Sequence, residues 1–162
     1  MNTLSKLALV ALPVMTLMSP AAAQFHGPKV ATASASAKPA SVARGGHGVL
    51  LVTVTVGPQY HLNAHAPNDA AYIPTVFVGQ ATPGVTFGAA HYPAPRAMKL
   101  SYAPKPLLVY TGRVVIAVPF TVATTAHPGR LPLAGTLSFQ GCDAKSCYPP
   151  ASAPVRAAVT VR

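Results

Sequence analysis

Val49-Leu50-Leu51-Val52-Thr53-Val54-Thr55-Val56, closed by Gly57-Pro58, decides the fold class. Val52, Val54 and Val56 alternate with Thr53 and Thr55, a period of two that turns one row toward a core and the other toward water. β-Branched side chains favour extended backbone, and the Gly-Pro pair ends it. The same reading extends outward along the chain. Tyr72 to Val78 reads as a second strand, with Pro74 at its start or on an edge because it has no N–H to donate. Pro83-Gly84 turns into Val85-Thr86-Phe87. The proline-rich stretch 88–106 reads as loop with a short strand near Met98-Lys99-Leu100. Arg113 to Val122 carries the strongest strand pattern, His127-Pro128-Gly129 turns the chain, Leu133 to Phe139 returns it, and Val155 to Val161 closes the domain. About seven short strands with regular turn signals and no helical period predict an all-β sandwich, with a small barrel as the alternative.

Composition narrows the class further. The 162 residues include 18 Pro and 12 Gly, and only 9% are charged. Prolines scattered at that density leave little room for helices, and the low charge excludes a coiled coil or an acidic disordered tail. The formal charge is +10, yet there is no basic block interleaved with aromatics. No nucleic-acid face is therefore expected, and the charge is read as a solubility device. The sequence carries no dinucleotide fingerprint, phosphate loop or nucleophile elbow.

The N-terminus reads as an address. Lys6 precedes the apolar run Leu7 to Met18, and Ala21-Ala22-Ala23 follows. Residues 1–23 are read as a secretory signal peptide, with an apolar run too short to cross a bilayer comfortably. The expected mature protein is exported, without stable membrane insertion. Residues 24–46, exemplified by Ala31-Thr32-Ala33-Ser34-Ala35-Ser36-Ala37-Lys38-Pro39, read as a flexible leader. Residues 47–162 are then the folded domain.

Cys142 and Cys147 are the only cysteines. In an oxidising compartment two cysteines this close pair with each other. Closing so small a loop constrains the unfolded chain modestly, by about 2 kcal/mol in the chain-entropy account. Two readings stay open on the residues alone: a structural staple, which spacing slightly favours, or a redox couple. Lys145 would favour a thiolate and Asp143 would oppose one. The six histidines (His26, His47, His61, His65, His91 and His127) read as polar loop residues. With Asp69 and Asp143 the only carboxylates, no metal site is expected, and a zinc site through the cysteines is disfavoured by spacing and export. The same shortage of carboxylates argues against a glycosidase, and the missing elbow against a serine hydrolase. No cofactor is expected.

The segment Phe139-Gln140-Gly141-Cys142-Asp143-Ala144-Lys145-Ser146-Cys147-Tyr148-Pro149-Pro150 resembles the active-site segment of the N-terminal domain of the thiol–disulfide interchange protein DsbD family. Gln59-Tyr60-His61-Leu62-Asn63, Tyr72-Ile73-Pro74-Thr75, Pro83-Gly84-Val85, His91-Tyr92-Pro93 and Val109-Tyr110-Thr111-Gly112 fall in a similar order. The resemblance spans residues 47–161, and its Gln-Gly-Cys…Cys-Tyr-Pro-Pro portion is the specific part.

The resemblance implies an immunoglobulin-like sandwich and a periplasmic electron carrier. Its cysteine pair would take two electrons from a thioredoxin-like partner fed by a membrane-embedded reductase. It would pass them to oxidised periplasmic thiol proteins, such as disulfide isomerases or the thioredoxin-like proteins of cytochrome c maturation. Cys147 would form the mixed disulfides and Cys142 would resolve them. His91, Tyr92 and Pro93 would form a cap, with Tyr92 shielding the disulfide. Tyr60 and Tyr148 would line the site.

Three departures stand out. Known members continue into a membrane region and a thioredoxin-like domain, which this sequence, ending at Arg162, would need as separate proteins. Four residues separate the cysteines where some members have five. The acidic residues of the family's cap are missing around Gly88-Ala89-Ala90. The alternative to a carrier is a non-catalytic immunoglobulin-like adaptor with a structural disulfide.

Overall fold

The computed structural model describes residues 28–162, and its regular elements are all strands. The proposed signal peptide over 1–23 lies outside the described residues. The strands in chain order are β1 (Ala31–Lys38), β2 (Ser41–Val42), β3 (His47–Val56), β4 (His61–Asn63), β5 (Val76–Gly79) and β6 (Val85–Phe87). They continue with β7 (Arg96–Met98), β8 (Leu107–Tyr110), β9 (Arg113–Val122), β10 (Gly129–Phe139), β11 (Gly141–Cys142) and β12 (Ala151–Val161). Three sheets result, ordered β1-β3-β9-β6, β2-β12-β10-β5 and β11-β4-β8-β7.

The alternating pattern explains the layers. Leu50, Val52, Val54 and Val56 of β3 are buried, as are Val114, Ile116, Val118, Phe120 and Val122 of β9. They meet Leu133, Leu137 and Phe139 of β10 and Val155, Val159 and Val161 of β12 in one cluster. Two sheets thus bury facing rows between them, each large side chain worth about 1.5–3 kcal/mol of transfer free energy. This is an all-β, immunoglobulin-like sandwich. The third sheet has its own small cluster, Leu100, Leu107 and Val109, with Tyr72, Met98 and Tyr102 packed against it. Its outer strand β11 carries Cys142, and Cys147 bridges back to it.

The leader reading over 24–46 is corrected from Ala31 onward. β1 pairs antiparallel with β3 along its whole length, from Ala31 opposite Val56 to Lys38 opposite Val49. Ala31, Ala33, Ala35 and Ala37 pack on the core, while Thr32, Ser34 and Ser36 face solvent. The period of two was present, but alanine is so weakly apolar that the stretch looks like linker. The folded body therefore begins before His47. The Tyr72–Val78 strand is also shorter than expected, since only Val76–Gly79 pairs, with β10.

Deleting residues 31–38 is expected to lower the urea midpoint of unfolding markedly. Ser34→Lys, on the outward row, should stay within about 0.5 kcal/mol of the parent. Equal midpoints for the deletion and the parent would show that this segment contributes no strand.

Candidate functional site

The site is a hairpin grown from the end of β10. β11 adds to β4, placing Gly141 opposite Leu62 and Cys142 opposite His61. The chain then turns through Asp143-Ala144-Lys145-Ser146 and brings Cys147 back opposite Cys142. Asp143 is the reason for the turn. Its Oδ1 accepts the N–H groups of Lys145 at 2.7 Å and Ser146 at 2.8 Å, while its own N–H donates to Ser146 O at 2.9 Å. An aspartate that satisfies the backbone two and three residues ahead is a common way to fix a turn. The Tyr148 N–H closes the base of the hairpin on Gly141 O at 2.9 Å. Gly141 is required sterically, because a Cβ there would run into the Val30 side chain.

Gln140 locks the hairpin to its surroundings. Its Nε2 donates to Tyr148 O at 3.2 Å, and its Oε1 accepts from Asn63 Nδ2 at 3.0 Å and Ile73 N at 3.2 Å. The run Tyr72-Ile73-Pro74-Thr75 is thus held by side chains rather than by a strand ladder. Thr75, itself buried, donates its hydroxyl to Asn63 O at 2.6 Å.

Cys142 and Cys147 form a disulfide. Its two ends differ in access: Cys142 is 0% exposed, whereas Cys147 is half-buried. The Tyr148 hydroxyl donates to Asp143 Oδ2 at 2.6 Å. That bond, helped by the Lys145 and Ser146 amides, holds the Asp143 carboxyl down at about 2. The same bond pushes the Tyr148 phenol up to about 12. The hairpin thus carries a fixed negative charge at Asp143 beside exposed Lys145.

On the other side, two residues approach the disulfide. His61 is only 3% exposed on β4, and burial holds its ring below its ordinary value against the opposing pull of Asp143. The Tyr102 hydroxyl lies 3.0 Å from His61 Nε2 and 3.8 Å from Cys147 Sγ. Burial, then Tyr72 and Asp143, push the Tyr102 phenol up to about 12. Next to it, the Ser101 hydroxyl donates to Ala144 O at 3.2 Å, so the turn after β7 touches the hairpin at two points.

The structure brings together Cys142, Cys147, Tyr60 and Tyr148. The Tyr60 and Tyr148 rings meet edge-on with centroids 6.0 Å apart. The expected cap is placed differently. The Tyr92 ring stacks on His65 at 3.7 Å, and its oxygen accepts the Phe77 N–H at 2.9 Å. The His91 backbone bridges to Ala117 on β9, and Pro93 O accepts from the Tyr110 hydroxyl at 3.2 Å. These bonds hold residues 91–93 on the sandwich, and the aromatic hydroxyl at Cys147 belongs to Tyr102 instead. His61, read from sequence as a polar loop residue, is a buried strand residue beside the disulfide. The one available signal was its apolar flank, Tyr60 and Leu62. Tyr102 offered none, standing in a proline-rich stretch read as loop. Among the described residues, no three His, Cys, Asp or Glu side chains gather to hold a metal, and no helix is long and apolar enough to cross a membrane.

Fold and site define an immunoglobulin-like domain that presents one accessible disulfide sulfur on a side-chain-locked hairpin. The family profile described as thiol:disulfide interchange protein DsbD, N-terminal, matches residues 30–157, and the chain belongs to that family. The Cys142–Cys147 bridge lies within the matched residues. A search of the curated proteins finds no significant match. Among solved structures, the N-terminal periplasmic domain of ScsB from Proteus mirabilis is similar, with 16% identity and a TM-score of 0.49. The match covers 78% of this chain and 43% of that one, so this chain spans less than half of that structure. The seventh ScaB type I cohesin from Pseudobacteroides cellulosolvens matches with 13% identity and a TM-score of 0.38, over 81% of this chain and 92% of that one. The human CEP192 PapD-like domain 7 matches with 12% identity and a TM-score of 0.39, over 93% and 98%.

Two outcomes follow from the hairpin chemistry. Asp143 has a lowered folded-state value, so its contribution is present above about pH 4 and is lost as pH falls through about 2. Acid titration of stability should show this loss in the parent and not in Asp143→Asn. Gln140→Ala removes the acceptor of the Ile73 N–H and one of the two acceptors of the buried Asn63 amide, which keeps Ile73 O. It should cost about 1–3 kcal/mol by chemical denaturation, and no loss would mean that water replaces the side chain freely.

Proposed function

We propose that the domain is exported by residues 1–23 and carries electrons in the periplasm between a thioredoxin-like donor and oxidised thiol proteins. The observation that supports this reading best is the unequal access to the two sulfurs. Exchange requires a thiolate to approach one sulfur along the S–S axis while the other leaves. With Cys142 sealed in the core and Cys147 half-buried, only Cys147 offers an approach.

A donor thiolate attacks Cys147 Sγ. A bond forms between the two proteins, and the Cys142–Cys147 bond breaks with its electron pair on Cys142 Sγ. The donor's second thiolate then attacks the donor sulfur of this mixed disulfide and releases Cys147. Two electrons have entered, and the donor leaves as a disulfide. Delivery runs the other way: Cys147 attacks the acceptor disulfide, and Cys142 resolves the mixed disulfide. The donor is a thioredoxin-like domain or separate protein reduced by a membrane-embedded reductase. The acceptors are periplasmic disulfide isomerases or the thioredoxin-like proteins of cytochrome c maturation. The turn carrying Ser101 and Tyr102 supports a shielding role, because it contacts the hairpin at Ala144 O and at Cys147 Sγ.

Single-cysteine variants test the assignment. Cys142→Ala, with Cys147 alone, should form a mixed disulfide with an activated thioredoxin-like partner at least ten times faster than Cys147→Ala. Equal rates would remove the distinction between the two sulfurs. If neither variant couples and the parent bridge resists the reduced partner, the adaptor reading replaces the carrier.

A further inference from the structure

The exchange steps leave one buried titratable group beside the disulfide unused, and that group is His61. Its backbone pairs with Cys142, and its Nε2 is 3.0 Å from the Tyr102 oxygen, which in turn is 3.8 Å from Cys147 Sγ. The phenol has one hydrogen and two acceptors within reach. A sulfur in a disulfide carries no hydrogen and accepts weakly, so in the oxidised form the Tyr102 O–H belongs to the neutral His61 ring. A thiolate is a far stronger acceptor, because hydrogen bonds to charged groups are about twice as strong as neutral ones. Opening the disulfide therefore changes which acceptor the phenol prefers.

We propose that Tyr102 and His61 form a relay that stabilises the Cys147 thiolate on reduction, with Tyr102 donating to Cys147 Sγ and His61 holding the proton. This inference rests on the reading of Cys147 as the exchanging sulfur. The donor dithiol gives up two electrons and two protons. One proton ends on Cys142 Sγ, which sits in the core as a neutral thiol. The other ends on His61 rather than on Cys147 Sγ. His61 Nε2–H then donates to the Tyr102 oxygen, and the Tyr102 O–H donates to the Cys147 thiolate. Delivery to an acceptor disulfide returns both protons to the acceptor's thiols.

The surroundings suit this assignment. Asp143, on the hairpin, favours a charged His61, while burial opposes it, so the ring is neutral until a second negative charge appears nearby. Burial, then Tyr72 and Asp143, hold the Tyr102 phenol protonated, which keeps it a donor. Lys145 is exposed and reaches Asp143 through its backbone N–H, and that carboxylate also accepts from Tyr148. Tyr102 touches the reacting sulfur, whereas His61 acts through it as a positioning residue.

The test reads Cys147 alkylation by iodoacetamide against pH in the reduced protein and in Tyr102→Phe and His61→Gln. It also follows the His61 ring by NMR in the oxidised and reduced parent. Reduction should raise the pH at which His61 titrates. Tyr102→Phe should remove that rise and slow alkylation near pH 6 about tenfold, the equivalent of one pKa unit. His61→Gln can still hold the phenol but cannot store a proton, and should move the alkylation profile in the same direction. Tyr102→Phe removes only a hydroxyl, so it keeps the test decisive if His61→Gln fails to fold. Superimposable alkylation profiles in the parent and Tyr102→Phe, with His61 titrating alike in both redox states, would overturn the relay. If the parent still exchanges with thioredoxin in that case, the carrier reading stands and only the relay fails.

Discussion

Two backbone pairs, Gly141 with Leu62 and Cys142 with His61, govern the site. Successive side chains on a strand point to opposite faces, so a slip of one residue would turn Cys142 out of the core. The pairing is protected from such a slip on both sides. Gln140 is tied to Asn63, Ile73 and Tyr148, and Gly141 admits no side chain against Val30. Val30 stands one residue before β1. The strand that completes the first sheet thus also sets the floor beneath the cysteines.

This register creates a gradient across a single covalent bond. One sulfur is fixed in apolar packing, and the other stands where a partner sulfur could approach. The turn that joins them is held mainly by Asp143, whose carboxylate serves two amides and a phenol. A hairpin organised by side chains and by β4 need not rely on its disulfide for shape. That independence is what a bridge opened and closed repeatedly would need. The sandwich behind it supplies rigidity, with the apolar rows of β3 and β9 facing those of β10 and β12.

The strong strands were legible because their alternation uses valine, leucine and phenylalanine against threonine. β1 has the same period, but alanine and serine differ too little in polarity for composition to reveal it. The cysteine hairpin was legible through its flanks, Gln140-Gly141 and Tyr148-Pro149-Pro150, which the structure uses as anchor, close-packed base and exit. The aromatic hydroxyl beside Cys147 was not. Both Tyr92 and Tyr102 lie among prolines, and only long-range bonds separate them: Tyr92 to His65 and Phe77, Tyr102 to His61 and Cys147. His61 was obscured for a similar reason, since a histidine between an aromatic and a leucine reads equally as loop or as buried strand.

The most direct measurement is the reduction potential of the Cys142–Cys147 couple, taken on the folded domain in thiol–disulfide buffers. An exchanging bridge predicts a value between about −270 and −120 mV, between those of thioredoxin and the strong periplasmic oxidants, with the β-structure retained on reduction. A value below about −300 mV, accompanied by collapse of the fold, would contradict the account and make the bridge a staple.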